Sequence, residues 1–227
     1  MNEMFSELFA GLSRSFPYWV VVVAYFLGSI PTSYLVGKVF FQTDIRKSGS
    51  GNIGATNALR IFGAKAGIAV LVVDMLKGVA AIMLAKSMLN YVTSINTLNW
   101  IIALSGVSVI LGHVFTIFLR FKGGKGVATA AGVFLTLTPF PFIFCLVLFG
   151  CVVYMTKYVS LGSILAAFSF FVIELVTQVI FKFNNLPRFL LVGLMVGLIV
   201  ARHKANLQRL MEGKENKVSF RPRKQEF

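Results

Sequence analysis

Acid is what this sequence has least of. Only eight of its 227 residues are Asp or Glu, against 22 Lys and Arg, for a net charge of +14. None of the acids is paired in a loop, which argues against a lipid-phosphate transferase working through an acid-bound metal ion. No metal site or cofactor is therefore expected. Cysteine is almost absent: Cys145 and Cys151 lie inside one apolar run, with no His or acid close by in sequence. They read as buried, inert thiols rather than ligands or nucleophiles. The first 16 residues hold two Glu and one Arg, so the basic start of a cleavable signal peptide is missing. Internal repeats, which many transporters carry, are not visible. Charged residues make up 13% of the chain and hydrophobic ones 57%, with 23 Phe. A soluble domain would carry about 25% charge. The composition is that of a membrane protein.

Apolar segments fall at about 17–41, 66–89, 100–119, 126–138, 140–156, 161–181 and 187–201. A spanning helix needs roughly 17–25 such residues. The fourth and fifth are short and meet at Pro139 and Pro141, where proline removes a backbone donor and disfavours helix just before it. Either one long kinked helix or a hairpin of two helices is possible there. Basic residues decide, because cytoplasmic connections collect Lys and Arg. With seven spans and the N-terminus outside, 16 of the 22 basic residues fall on the cytoplasmic side, eight of them after residue 201. One long helix would put Lys157 and the basic tail outside. The expectation is an all-α, polytopic integral membrane protein of about seven transmembrane helices, with its C-terminus cytoplasmic. Residues 1–213 form one transmembrane domain and 214–227 a short basic tail, frayed or resting on anionic lipid. Lys182 and Arg188, in the sixth connection, dissent from this layout. The layout also places the positive charge at a membrane face, with no need of nucleic acid.

Small and polar residues interrupt the apolar pattern in four places. The stretch KSGSGNIGATN (47–57) contains a formal G-x-G-x-x-G. It follows a membrane segment rather than a strand, so a dinucleotide fold is excluded. Its glycines permit positive φ and a concave nest of backbone N–H groups. Arg46, Ser48, Ser50 and Asn52 add side-chain donors for an oxyanion. The stretch FLRFKGGKGVATAAG (118–132) is not a Walker loop, because Gly126 follows Lys125. It sets Lys122 and Lys125 before a helix start, where free N–H groups favour an anion. His113, just before it, reads alone as a satisfied interior histidine. TKYVSLGS (156–163) supplies Ser160 and Ser163, which at a helix start are usually caps. ARHKANLQRL (201–210) puts His203 and Asn206 three apart on one face, with Arg209 open to a surface role. Asp74 and Lys77, three apart in the second segment, read as an ion pair that reduces the cost of mid-span charge. Ser29, Thr32 and Ser33 around Pro31 suggest a kink whose freed carbonyls the hydroxyls meet. Glu174 is a lone acid in the sixth segment. With seven spans, all four polar stretches share the cytoplasmic side, which suits a substrate with phosphate in water and an apolar tail in lipid.

At the level of whole motifs the sequence resembles the bacterial acyl-phosphate:glycerol-3-phosphate acyltransferase family. The resemblance rests on GSIPTSYLVGK (28–38), DIRKSGSGNIGATN (44–57), GHVFTIFLRFKGGKGVAT (112–129), KYVSLGS (157–163) and HKANLQRLMEGKE (203–215), in the family's order. Thr116 stands where the family more often has Pro, and Leu207 where Ile is common. The resemblance implies transfer of a fatty acyl group from acyl phosphate to the 1-hydroxyl of sn-glycerol 3-phosphate, giving lysophosphatidate and phosphate. It also implies the bacterial cell membrane, a cytoplasmic active site, and a functional link to the enzyme that makes acyl phosphate. As in that family, no His is followed five residues later by Asp. Acyl phosphate carries its own leaving group, so direct attack without a covalent nucleophile is expected. Arg46, Lys122 and Lys125 are expected to neutralise phosphate. Ser48, Ser50, Asn52, Ser160 and Ser163 would supply neutral donors, Asn206 would orient glycerol phosphate, and His203 would sit at the attacking hydroxyl. The competing class is a small-anion transporter or channel gated by the glycine loops.

Overall fold

The structure, a computed structural model, describes residues 16–218. The start of the chain, and Arg221, Arg223 and Lys224 of the basic tail, lie outside the described residues. Regular structure among the described residues is entirely helical. The helices are α1 (Trp19–Ser29), α2 (Thr32–Phe40), α3 (Ala55–Phe62), α4 (Ala64–Lys86), α5 (Ile95–Val114), α6 (Val127–Leu137), α7 (Pro139–Thr156), α8 (Val159–Val179), α9 (Leu186–Arg202) and α10 (Lys204–Met211). Each of the seven apolar segments is helical. Among the described residues four helices, α4, α5, α7 and α8, are long and apolar enough to cross a bilayer. The bent pairs α1–α2 (40°) and α9–α10 (54°) raise the number to six. The fourth segment, α6, has 11 residues.

The proline cluster breaks the chain into two helices rather than kinking one. Thr138, at φ −145° and ψ 71°, leaves the helical region, and Pro139 opens α7, where its missing N–H costs nothing. α6 packs on α4, and α7 on α8. Two glycine pairs let helices meet backbone to backbone. A methyl group at Gly28 would overlap the carbonyl of Val109, and one at Gly112 that of Tyr25, so α1 and α5 are joined closely. Gly78 and Gly132 do the same for α4 and α6, against Thr129 and Met75. Close approach of small residues is how helices gain contact in lipid, where burial of apolar surface drives little. Around these seams lies a core of Val109, Ile110, Val133, Phe134, Phe170 and Leu191. Phe140, Tyr154, Met155 and Phe181 point outward.

Three expectations change. Cys145 is buried, but Cys151 is exposed on α7. At about 100° per residue, positions six apart point to different sides of a helix. Arg188 is not a loop cation: it sits in the first turn of α9 and donates to Glu174 of α8 at 2.9 Å. Gln178 donates to the same carboxylate at 2.7 Å. The lone acid and one of the two dissenting cations thus neutralise each other. Finally, the hydroxyls beside Pro31 do not meet the carbonyls freed by the α1–α2 break. Lys77 Nζ donates to the Ile30 carbonyl and Thr116 Oγ1 to that of Ser29. Thr32 instead donates to Asp74 at 2.7 Å, and Ser33 to the Ile53 carbonyl. Donors from α4 and from the segment after α5 take these carbonyls instead.

Candidate active site

A cavity of about 600 Å³ opens where four connections converge. Ser50, Asn52 and Thr56 come from the first. Lys125 and Gly126 come from the stretch before α6, Ser160 and Ser163 from the start of α8, and His203 and Asn206 from the α9–α10 break. Its other wall is apolar, formed by Leu71, Val127, Phe149 and Val159. Seven of the ten residues singled out from the sequence therefore share one space: Ser50, Asn52, Lys125, Ser160, Ser163, His203 and Asn206.

Arg46, Ser48 and Lys122 do not line it. Arg46 is turned to Asp44, with hydrogen bonds of 2.9 and 2.6 Å, and its guanidinium lies 4.8 Å over the Tyr34 ring. Its hydrogen bonds hold the Asp44 carboxyl down at about 2. The carbonyl of Ser48 accepts from Asn57 Nδ2 at 3.1 Å. Lys122 is exposed, on a part of its loop where Arg120 and Phe121 take left-handed backbone.

The Gly/Ser/Asn loop is not an open nest of N–H groups. Gly49 and Gly51 have φ of 62° and 71°, and the tight turn they allow closes around the buried side chain of Asn57. Asn57 Oδ1 accepts from the Ser50 amide at 3.0 Å, while Nδ2 donates to the carbonyls of Ser48 and Asn52. Asn52 Oδ1 takes the Gly54 amide at 2.8 Å, and the Gly51 amide goes to the Ser48 carbonyl. The amides of Ser50, Gly51 and Gly54 are spent on the loop's own shape, and the Ser50 and Asn52 side chains line the cavity. Gly123 and Gly124 likewise serve packing. Any Cβ there would overlap the end of α5, at the His113 and Val114 carbonyls and the His113 ring. They let Lys125 and the N-terminus of α6 reach the cavity.

Three further charged groups on the cavity wall, Arg60, Arg202 and Glu215, do not stand out in the sequence. Arg60, on the exposed-looking side of α3, lines it, although as a loop-proximal cation it reads only as a topology signal. Glu215 lies in what reads as a polar tail. Its Oε1 accepts from Asn206 at 2.6 Å and Ser160 at 3.0 Å, and its Oε2 from Arg209 at 2.8 Å. Arg209 is thus part of the wall rather than a free surface charge. Backbone pairing of Val218 with Lys157, at 2.8 Å, holds the segment down. Burial pushes the Glu215 carboxyl up, but the bonds from Asn206, Arg209 and Ser160 outweigh it and hold it below the usual range. A depressed acid stabilises the fold above its ordinary titration range and ceases to do so as pH falls through its folded value. Glu215→Ala removes two hydrogen bonds to a charged acceptor and an ion pair that is partly exposed. Heat denaturation in detergent is expected to register a loss of about 2–4 kcal/mol.

Lys125 is the most perturbed cation at the site. Burial, opposed by Glu215 and reinforced by Arg209, Arg202 and Arg60, lowers it to about 8. Its Nζ donates to Asn206 Oδ1, so a chain Lys125–Asn206–Glu215 fixes the amide's orientation. His203 is buried at the break, and its Nδ1 lies 2.8 Å from the Ile199 carbonyl. A carbonyl can only accept, so Nδ1 carries the proton and Nε2 keeps a lone pair. Ser163 bonds back to the Val159 carbonyl at 2.9 Å. Among the described residues no three His, Cys, Asp or Glu side chains gather as a metal site.

The family model described as Glycerol-3-phosphate acyltransferase matches residues 18–213. A Lactobacillus johnsonii protein named glycerol-3-phosphate acyltransferase 2 is 41% identical over 201 residues, covering 88% of this chain and 87% of its own. A Fusobacterium nucleatum glycerol-3-phosphate acyltransferase is 42% identical, covering 88% and 97%. The fold is similar to the crystal structure of PlsY, an integral membrane glycerol 3-phosphate acyltransferase, in its glycerol 3-phosphate form. The TM-score is 0.80 at 33% identity, over 89% of this chain and 96% of that one. The lysophosphatidic acid form of PlsY gives a TM-score of 0.77 at 32% identity, over 90% and 96%.

Proposed function

This chain belongs to the glycerol-3-phosphate acyltransferase family, and from that premise we propose that it acylates the 1-hydroxyl of sn-glycerol 3-phosphate from acyl phosphate. The products are lysophosphatidate and inorganic phosphate. The observation that carries the reading is the two-sided cavity. Lys125, Arg60, Arg202 and Arg209 face it together with Ser50, Asn52, Ser160 and His203, and Leu71, Val127 and Phe149 close the other side. A phosphate head on an apolar tail matches both walls, and the clustered cations offset the repulsion between two phosphate-bearing molecules.

In this reading the glycerol hydroxyl donates to His203 Nε2 and is held against the acyl carbon. Its oxygen attacks, the bond from acyl carbon to phosphate oxygen breaks, and the pair of electrons leaves with phosphate. The hydroxyl proton ends on the departing phosphate, directly or by way of His203. Lys125 and the arginines stabilise charge on the phosphate as it leaves. Asn206, aligned by Lys125 and Glu215, orients glycerol phosphate. Phosphate neutralisation rests first on Lys125, which lines the cavity with Arg60; Arg46 pairs with Asp44 outside the wall, and Lys122 is exposed on the Lys125 loop.

The same cavity supports seven crossings with the C-terminus cytoplasmic. Its four contributing connections are separated by α4 with α5, α6 with α7, and α8 with α9. Each pair must leave the cavity's side of the membrane and return, and α1–α2 adds the seventh crossing. α6 rises only about 16 Å, but Lys86, at the far end of α4, donates to its Thr136 carbonyl at 2.9 Å. The far ends of the two helices are therefore level. The Lys and Arg gathered in these connections support a cavity on the cytoplasmic side of a bacterial cell membrane. The acyl phosphate would come from the enzyme that makes it.

Purified protein in detergent, supplied with acyl phosphate and glycerol 3-phosphate, should release phosphate only when both are present, one for each lysophosphatidate formed. Movement of glycerol 3-phosphate across proteoliposomes without acylation would favour a transporter instead. The pH dependence has a defined sign. Free Lys125 loses its proton above about 8, so glycerol 3-phosphate binding should weaken as pH rises from 7 to 9. In Lys125→Arg that limb should vanish, since Arg stays charged; titration calorimetry checks both.

A further inference from the structure

The buried pair Asp74–Lys77 does more than neutralise itself. Asp74 is 1% exposed and Lys77 4%, and Lys77 Nζ donates to Asp74 Oδ1 at 2.7 Å. A buried ion pair is weak support for stability, and apolar residues of similar volume often do as well. What distinguishes this pair is where its other bonds lead. Lys77 Nζ also donates to Thr32 Oγ1 and to the Ile30 carbonyl, freed by the α1–α2 break. Thr32 Oγ1 donates on to Asp74 at 2.7 Å. The next residue, Ser33, donates to the Ile53 carbonyl inside the Gly/Ser/Asn loop. On the other side, His113 Nδ1 lies 3.9 Å from Asp74. The His113 ring leaves no room for a Cβ at Gly124, whose amide donates to the His113 carbonyl at 3.0 Å. Asp74 and His113 themselves reach the cavity wall, and the buried cluster they share joins two cavity loops that are far apart in sequence.

We propose that Asp74 and Lys77 are positioning residues: they fix the α1–α2 break and, through Ser33, hold the Ser50–Asn52 loop in register with the Lys125 loop. The proposal rests on the reading of the cavity as the active site only for its effect on rate. The holding of the loop is independent of the reaction.

The test combines hydrogen exchange with kinetics on full-length protein in detergent. In Asp74→Asn/Lys77→Met, amides of 46–57 should exchange about tenfold faster, while the melting temperature changes little. kcat/KM for glycerol 3-phosphate should fall about tenfold per folded molecule. Ser33→Ala alone, which removes one hydroxyl, should speed exchange in 46–57 by itself. Added to the double variant, it should do almost nothing more, because both act through one connection. Glu174→Gln/Arg188→Gln, a partly buried pair that does not line the cavity, should leave 46–57 unchanged. Wild-type exchange in 46–57 in either the double variant or Ser33→Ala would overturn the proposal. So would fully multiplicative effects of the two. If the double variant does not fold, Ser33→Ala decides. If wild-type protein transfers no acyl group, the functional reading fails, and exchange still decides this one.

Discussion

Lys125→Ala is expected to lower turnover with acyl phosphate by about 10²–10³-fold, the usual cost of removing one preorganised donor at a developing charge. The loss should be larger than for Lys122→Ala, although both lysines occupy one loop. Lys125 is half-buried, lines the cavity and donates to Asn206, whereas Lys122 is exposed and outside the wall. Removing Lys125 takes away a cation and also frees the amide that orients the acceptor. Both kcat and KM for glycerol 3-phosphate should therefore change. Steady-state kinetics on the two variants, normalised to folded protein, makes the comparison. Equal losses would show that the exposed lysine reaches the substrate too, and a mild Lys125→Ala would remove it from the chemistry.

His203→Ala should lower kcat by about 10²–10⁴-fold, the range for a positioned acid–base group, with a small change in KM. The imidazole is buried and its Nδ1 proton is committed to Ile199, so only Nε2 remains for the hydroxyl. His203→Gln separates two roles. If the side chain mainly orients the hydroxyl while phosphate takes the proton, Gln retains part of the rate and the shape of the pH profile between 6 and 8. If the imidazole itself must carry the proton, Gln is as poor as Ala. Turnover unchanged in both variants across that range would place the hydroxyl elsewhere.

Much of this arrangement was legible in the sequence because bilayer physics writes long messages. Seven apolar runs gave seven helical segments, and the prolines at 139 and 141 marked a true division. Four polar stretches stood out because Gly, Ser and Asn are out of place among Val, Leu and Phe. What stayed hidden was pairing across distance. Glu174 and Arg188 are 14 residues apart on different helices, and no local pattern links them. Glu215 sits amid Lys214, Asn216 and Lys217, in a composition that normally marks a solvated tail. Only the turn after α10 brings its carboxylate back onto Asn206 and Arg209. Arg46 shows the same effect at short range. Asp44, two residues earlier, holds the Arg46 guanidinium at 2.6–2.9 Å, and such a local claim on a charge is easily overlooked when cations are counted. Glycines in a sequence read as room for an anion, but Gly123 and Gly124 are required by the end of α5, and in the first loop Asn57 takes the Ser50 amide and Asn52 that of Gly54.

Joint occupancy of the cavity by two phosphate-bearing molecules is the claim on which the chemistry stands. Titration calorimetry with a non-hydrolysable acyl phosphonate and glycerol 3-phosphate tests it directly. Each should bind once per chain, the second should still bind when the first is saturating, and Lys125→Ala should weaken both. Mutually exclusive binding, with either ligand displacing the other, would contradict it.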